Sequence, residues 1–341
     1  MIAFLTVPPV CRAESTGEFL LFPQVDLIQR AGLNSNTTID QDDQEASADI
    51  FMTVEVSKFR FLGEFLLTSE EQEFERFQLG WSHKNQLFWL GLFHNPIGYW
   101  NTSYHHGANL QTSISRPAII EFEDRGGILP THQAGLLVEG EFDLSGKKLG
   151  YEFALGSGPE FDPELTHWEV LNPGKRFGNT SATLNLYHYY DTQTPDTVGL
   201  FVNYSQISAT TIGVDEIQQI SAGLYGNWEF SRWRWLGASF YIHNQLERLN
   251  DGSETGAFVN AYVQTEYSLD SRWTLYGRIE QTLGGGDDAF LALFPEFTLD
   301  RALSGVRYDF ANSNALKIEI STNHVREDHF TQLMLQWSAM F

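Results

Sequence analysis

The chain has 341 residues, 44 acids against 21 bases, a formal net charge of -23 and 14% aromatic residues. That charge leaves no basic footprint for nucleic acid, the aromatic content is too high for a solvated coil, and a single Cys excludes a disulfide framework. A spanning helix needs about 20 consecutive apolar residues, and the longest stretch free of Asp, Glu, Lys and Arg, 85–115, is broken throughout by His, Asn, Gly, Pro, Ser and Thr.

The N-terminus reads as a leader. Residues 2–10 (IAFLTVPPV) form a short apolar core, and Cys11-Arg12-Ala13 gives a small-x-small cleavage pattern before Glu14, although no basic residues precede the core. Residues 1–13 are therefore expected to be a signal segment and 14–341 one domain; a frayed apolar terminus is the other reading. Cleavage would remove the only Cys, which suits an oxidising compartment.

From there to the end, segments of about ten residues alternate apolar and polar, the period of a strand. Over 48–58, Ile50, Met52, Val54 and Val56 oppose Thr53, Glu55 and Ser57. Leu87 to Phe93 is apolar on both faces. Over 132–142, Ala134, Leu136, Val138 and Phe142 oppose Gln133, Gly135, Glu139 and Glu141. Over 216–230, Ile220, Ala222, Leu224 and Trp228 oppose Gln219, Ser221 and Asn227. The clearest strand is 256–269, where Ala257, Val259, Ala261 and Val263 oppose Asn260, Gln264 and Glu266, with Phe258 and Tyr262 on the polar side. Segment 273–282 repeats the pattern, 298–310 declares no parity, and 315–326 sets Leu316, Ile318 and Ile320 against Lys317, Glu319 and Ser321.

Short and long connections alternate between these segments. Tight turns fall near residues 58, 84, 145, 193, 231, 270 and 313, and loops at 34–47, near 70, at 95–131, 157–177, 209–214, 247–255, 284–295 and near 327. Seven turns and eight loops predict sixteen antiparallel strands. The expected fold is a closed, all-β transmembrane barrel: segment length fits a tilted spanning strand, closure leaves no unpaired edge in lipid, and Trp81, Trp89, Trp228, Trp233, Trp235 and Trp273 sit where apolar faces meet turns, as interface girdles do. A soluble β-sandwich adhesin is the rival fold; detergent dependence separates the two.

The last segment alternates Leu333, Leu335, Trp337, Ala339 and Phe341 with Gln332, Met334, Gln336, Ser338 and Met340. It resembles the terminal signal by which outer-membrane barrels engage their assembly machinery, with Trp337 and Phe341 as its aromatic marks. The stretches LGLFHNPIGYWN (90–101) and SRPAIIEFEDRGGILPTHQAGLLVEG (115–140) are similar to the Gram-negative porin superfamily, in particular its phosphate- and polyphosphate-selective branch. The resemblance implies a water-filled channel for passive diffusion of ions and small hydrophilic solutes, set among outer-membrane lipid and lipopolysaccharide, commonly as a homotrimer, with no cofactor. It also implies that the third loop, 95–131, folds into the pore as a constriction. The Arg and Lys ladder of anion-selective relatives is missing here.

Parity assigns the pore lining. Opposite the apolar faces stand Glu55, Glu139, Glu141, Glu152, Glu266, Glu280 and Glu319, against Arg278, Lys317 and Arg76. Seven acids to three bases predict a cation preference. In the third loop Arg116, Glu121, Glu123, Asp124 and Arg125 have two readings: acids facing bases across the aperture, or a self-paired turn bent at Gly126-Gly127. The acids Asp40, Asp42, Asp43 and Glu45 read as an outer loop tip, bridging divalent cations or simply solvated. His94, His105, His106 and His132 lie in or beside the third loop, but no spacing matches a zinc motif and no metal is expected. An outer-membrane enzyme of lipase or protease type is the alternative from another class, with His188, Ser205 and His243 as its candidate residues, and a substrate-specific channel is a second alternative; nothing in the sequence orders the three into a triad.

Overall fold

The computed structural model describes residues 15–34, 39–69, 72–104, 107–144, 147–168, 170, 179–189, 196–209, 213–248, 252–286, 288–311 and 313–341. The leader expected over 1–13 and the histidines His105 and His106 lie outside these.

Among the described residues, eighteen strands follow in chain order. They are β1 (Ser15–Ala31), β2 (Asp42–Val56), β3 (Phe59–Leu67), β4 (Gln72–His83), β5 (Gln86–His94), β6 (His132–Leu144), β7 (Lys147–Ser157), β8 (Glu160–Phe161) and β9 (Leu165–Thr166). Then come β10 (Thr180–Tyr189), β11 (Thr197–Ala209), β12 (Val214–Phe230), β13 (Trp233–Arg248), β14 (Gly252–Ser268), β15 (Trp273–Leu283), β16 (Asp300–Phe310), β17 (Asn314–His324) and β18 (His329–Ala339). Sixteen of them form the wall, each antiparallel to the next, with β7 paired to β10. The ring closes where β18 meets β1, Leu27 opposite Leu335. The remaining two, β8 and β9, form a small hairpin that adds in parallel to the end of β11. One short helix, α1 (Tyr99–Ser103), lies in the 95–131 connection.

The burial pattern inverts that of a soluble protein. On β17, Leu316, Ile318 and Ile320 are about half exposed, while Lys317 and Glu319 between them are 1% exposed. The apolar face therefore points out and the polar face in, the arrangement a lipid-facing wall requires. Trp81, Trp228, Phe230, Trp233, Trp235 and Trp273 stand on the outer surface near the turn-side rim. Trp89 does not join this girdle: it is buried inside, over Gly80, with its indole N–H on Glu139 at 2.8 Å. The two-faced apolar run 87–93 is explained by this inner packing, since Trp89 and Phe93 form a small internal cluster with Leu137 and Ala154.

Two further differences from the sequence reading have physical causes. First, β2 begins at Asp42 because β1 is long enough to pair with it from Gln29 onward, so Asp42, Asp43 and Glu45 belong to a strand rather than to a loop tip. Second, Phe258 and Tyr262 do share the inner face with the polar residues, but they do not meet water. They pack in a hydrophobic core inside the barrel, with Phe201 and Phe240 from the wall, Ile97, Trp100, Ile119 and Leu129 from the 95–131 connection, and Phe290 and Phe294 from the connection after β15. One side of the lumen is thus filled.

Candidate functional site: the lumen and its constriction loop

The 95–131 connection leaves the wall after His94 and rejoins it at His132, and these two residues are register partners. Its roots are therefore side by side, and Asn101 ties them by donating to the carbonyls of Asn95 and Thr131, each at 2.9 Å. Between the roots the loop lies against the inner wall. Helix α1 packs on β12 and β14, where Asn227 donates to the Tyr99 hydroxyl at 3.3 Å and Trp100 meets Tyr262 edge-on at 6.2 Å. Gly107 reaches the β2 wall, its N–H on Asp49 Oδ2 at 3.3 Å.

From there the loop runs over the inner polar face of β14 to β17. Lys317 Nζ donates to the Ala108 carbonyl at 2.6 Å and the Ser113 carbonyl at 3.3 Å. Glu319 accepts from the Ile114 N–H at 2.9 Å and from Ser115. Arg278 donates to the carbonyls of Ser115 and Arg116 at 3.0 and 2.7 Å and pairs with Glu280 at 2.8 Å. Glu280 in turn accepts from the Ala118 N–H at 2.7 Å, and Glu266 from Thr112 at 2.8 Å. Charge-assisted bonds of this kind are the strong ones, and burial makes each member depend on its partners. Five residues predicted to line water, Glu266, Arg278, Glu280, Lys317 and Glu319, are thus buried under the loop and hold it.

The other predicted lining residues are not brought to the aperture. Glu55 pairs with Arg60, and Glu141 with Lys148, each at 3.4 Å toward the turn-side rim. Glu139 is engaged with Trp89, and Glu152 accepts from Asn185 at 2.7 Å. Arg76 pairs with Glu64 at 2.9 Å.

The acidic turn of the loop splits in two directions. A 3-10 turn spans Glu123–Arg125, and Gly126 follows it in the left-handed region at φ 78. Arg125 reaches across to Glu45 on β2 and binds it bidentately, at 2.6 and 3.2 Å. Glu123 turns the opposite way, into the wall, where it accepts from the His132 N–H at 2.8 Å, faces His132 Nδ1 at 2.7 Å and bonds Thr131. Burial pushes the Glu123 carboxyl up, but the His132 imidazole and its hydrogen bond outweigh that and hold it at about 2. Arg116 is buried, donates to the Ile120 carbonyl at 3.1 and 3.0 Å, and stacks 3.8 Å over the Phe122 ring, with Glu121 3.8 Å away. Of Asp124 only the backbone is described. Among the described side chains, the pair that crosses the gap is accordingly Arg125 of the loop with Glu45 of the wall.

A cavity of about 1050 Å³ lies between the loop and the strands β1, β2 and β18. Arg116, Glu121 and Arg125 line it from the loop, and Asp26, Glu45, Asp49 and Glu75 from the wall. Sequence parity could have found Asp49, which shares a face with Glu55. Glu75 had no such signal. Residues 77, 79 and 81 on the same parity point outward, and only a bulge, seen as a register shift opposite Glu64 and Phe65, turns Glu75 inward beside Arg76.

The residues considered for catalysis are apart. Ser205 bonds Ser181 at 2.8 Å, His188 Nδ1 lies 2.9 Å from the Lys148 carbonyl, and His243 stands on β13. At the C-terminus Phe341 extends the closure, exchanging two 3.0 Å backbone bonds with Leu21, and Trp337 reaches Asn314 at 3.3 Å.

No family model and no curated protein matches the chain. Solved structures match it along nearly its whole length. An anion-selective porin from Comamonas acidovorans gives a TM-score of 0.63 at 10% identity, over 96% of this chain and 100% of that one. The outer membrane channel DcaP of Acinetobacter baumannii gives 0.59 at 13% identity, over 97% and 98%. Salmonella typhi OmpF gives 0.59 at 11% identity, over 95% and 97%. The shared property is the fold, that of porin-type outer-membrane barrels, and these neighbours do not single out a phosphate-selective branch.

Proposed function

We propose that the protein is an outer-membrane porin, a passive channel for ions and small hydrophilic solutes that prefers cations. The observation that carries the reading is the loop 95–131 bonded to the inner wall on one side, which leaves beside it a cavity whose lining holds nine acids and four bases. Low-dielectric walls focus the field of such a lining onto the passage, and selectivity follows pore-lining charge. The exposed apolar outer face is the surface that lipid, lipopolysaccharide and sister protomers of a trimer would cover. The terminal strand with Trp337 and Phe341 is the segment offered to the assembly machinery. The fold neighbours named as porins and channels support the same reading. No turnover and no cofactor enter it.

Planar bilayers under a KCl gradient test it. Stepwise conductance with a reversal potential of cation-selective sign is expected. Anion selectivity would overturn the charge preference and leave the channel, whereas absence of conductance from folded protein would remove both. Glu45→Gln should shift the reversal potential toward the anion side, because it removes a carboxylate from the aperture and with it the ion pair to Arg125. Glu55→Gln, at the rim, should change it less.

A further inference from the structure

A cluster of buried imidazoles and carboxylates lies at the root of the 95–131 loop. His94 and His132 face each other as register partners, their rings 5.3 Å apart edge-on. The Glu75 carboxylate arrives between them from β4, with Oε2 2.7 Å from His132 Nε2. One ligand atom from each of Glu75, His94 and His132 lies within 4.8 Å of the others, and all three residues are buried. The bulge on β4 aims Glu75 at this point; without it the side chain would face lipid.

The surroundings fit a cation. Glu123 accepts at His132 Nδ1, at 2.7 Å, which fixes the ring and presents Nε2 to Glu75. A carboxylate behind a ligating imidazole is the usual outer shell of a metal site. Glu64 pairs with Arg76 at 2.9 Å and faces His94 Nε2 at 3.6 Å, so three carboxyl groups, Glu64, Glu75 and Glu123, meet the two imidazoles in a pocket nearly out of water. Buried charge of that kind is costly unless balanced. A divalent ion bound between the imidazoles and Glu75 supplies such a balance. Two imidazoles and one carboxylate suit zinc or a neighbouring first-row ion, and not magnesium or calcium, which take oxygen ligands. Glu75 also lines the open cavity, which provides an entry path from the lumen.

We propose that Glu75, His94 and His132 bind a divalent first-row transition-metal ion at the root of the constriction loop, with Glu123 as the residue that positions His132. The ion would join β4, β5 and β6 at one point and, through Glu123, clamp the returning arm of the loop. This goes beyond the channel assignment and does not depend on which solute passes.

The test uses the full chain, folded in detergent, loaded with zinc chloride and cleared of free metal. About one retained zinc per chain is expected, with an X-ray absorption spectrum showing mixed nitrogen and oxygen ligands near 2.0–2.1 Å. His94→Gln and Glu75→Gln should each abolish retention, and Glu123→Gln should weaken zinc about 10- to 100-fold without changing the ligand set. Folding of each variant is checked by heat-modifiable migration in gels; His94→Asn replaces any variant that does not fold. His324→Asn is the control, because His324 and His329 stack at 4.0 Å elsewhere on the molecule and could bind zinc themselves. No zinc retained by the folded wild type, an oxygen-only shell, or retention lost with His324→Asn and kept in His94→Gln would each overturn the assignment.

Discussion

Glu319 shows how a single side chain can be spent on architecture in a place where composition suggests transport. Its carboxylate holds the backbone N–H of Ile114 at 2.9 Å and is 1% exposed. Glu319→Gln should cost about 1–3 kcal/mol at that contact, the range for a buried bond to a charged acceptor. Faster hydrogen exchange at the Ile114 and Ser115 amides, with the rest of the barrel unchanged, is the expected reading. The buried groups around His132 carry a pH dependence with a definite sign. Glu123 is held at about 2, below its usual 4.5, so its stabilisation is complete above 4.5 and is lost as pH falls toward 2. His167, on the connection after β7, is lowered to about 4 from 6.5 by burial first and then by His132. The unfolded chain takes up that proton before the folded one does, so stability falls between pH 6.5 and 4. His132, Glu123, Glu75 and Glu73 face it. Each group contributes a slope of at most about 1.4 kcal/mol per pH unit. A thermal midpoint that drops from pH 6.5 downward, and flattens in Glu123→Gln and His167→Gln, checks both.

At the scale of elements, the strands were largely legible and the loop's partners were not. Alternation located the wall segments β12, β14, β15, β17 and β18, and turn residues located their connections, because a spanning strand obeys one simple rule: apolar side out, other side in. The rule fails wherever the inner face is not wet. Phe258 and Tyr262 are inward and apolar because a folded-in loop covers them, and that depends on contacts between distant parts of the chain. Likewise parity showed that Arg278, Glu280 and Lys317 face inward but not that backbone carbonyls and amides would occupy them. The bulge at Glu75 breaks the period itself, so no periodic reading finds it. The loop tip supplies a prediction of its own. Gly107 has φ +53 and an added Cβ would stand 2.5 Å from the Phe22 ring. Gly107→Ala should cost about 1–3 kcal/mol by overpacking, on top of the strain of a left-handed residue. Single-channel records should then show more frequent transitions between conductance levels than wild type.

The whole molecule divides its interior unequally. A hydrophobic core and the buried charged residues beneath the loop occupy one side, and the acidic cavity occupies the other. Total composition, with its large acid excess, does not say which acids line the cavity. Of the nine acids that line the cavity, Asp26, Asp43, Glu45 and Asp49 come from β1 and β2. Across the seam on β18, Gln336 stands opposite Asp26 and Gln332 opposite Arg30.

That placement has a consequence for biogenesis. If the cavity is the conduit, as proposed, it runs beside the junction of the first and last wall strands, so β1 and β18 contribute its two flanks there. They become neighbours only when the cylinder zips shut. An intermediate stalled before that moment would not be a leaky precursor of the channel; it would possess the plug and half of the trough, with no route for an ion to follow.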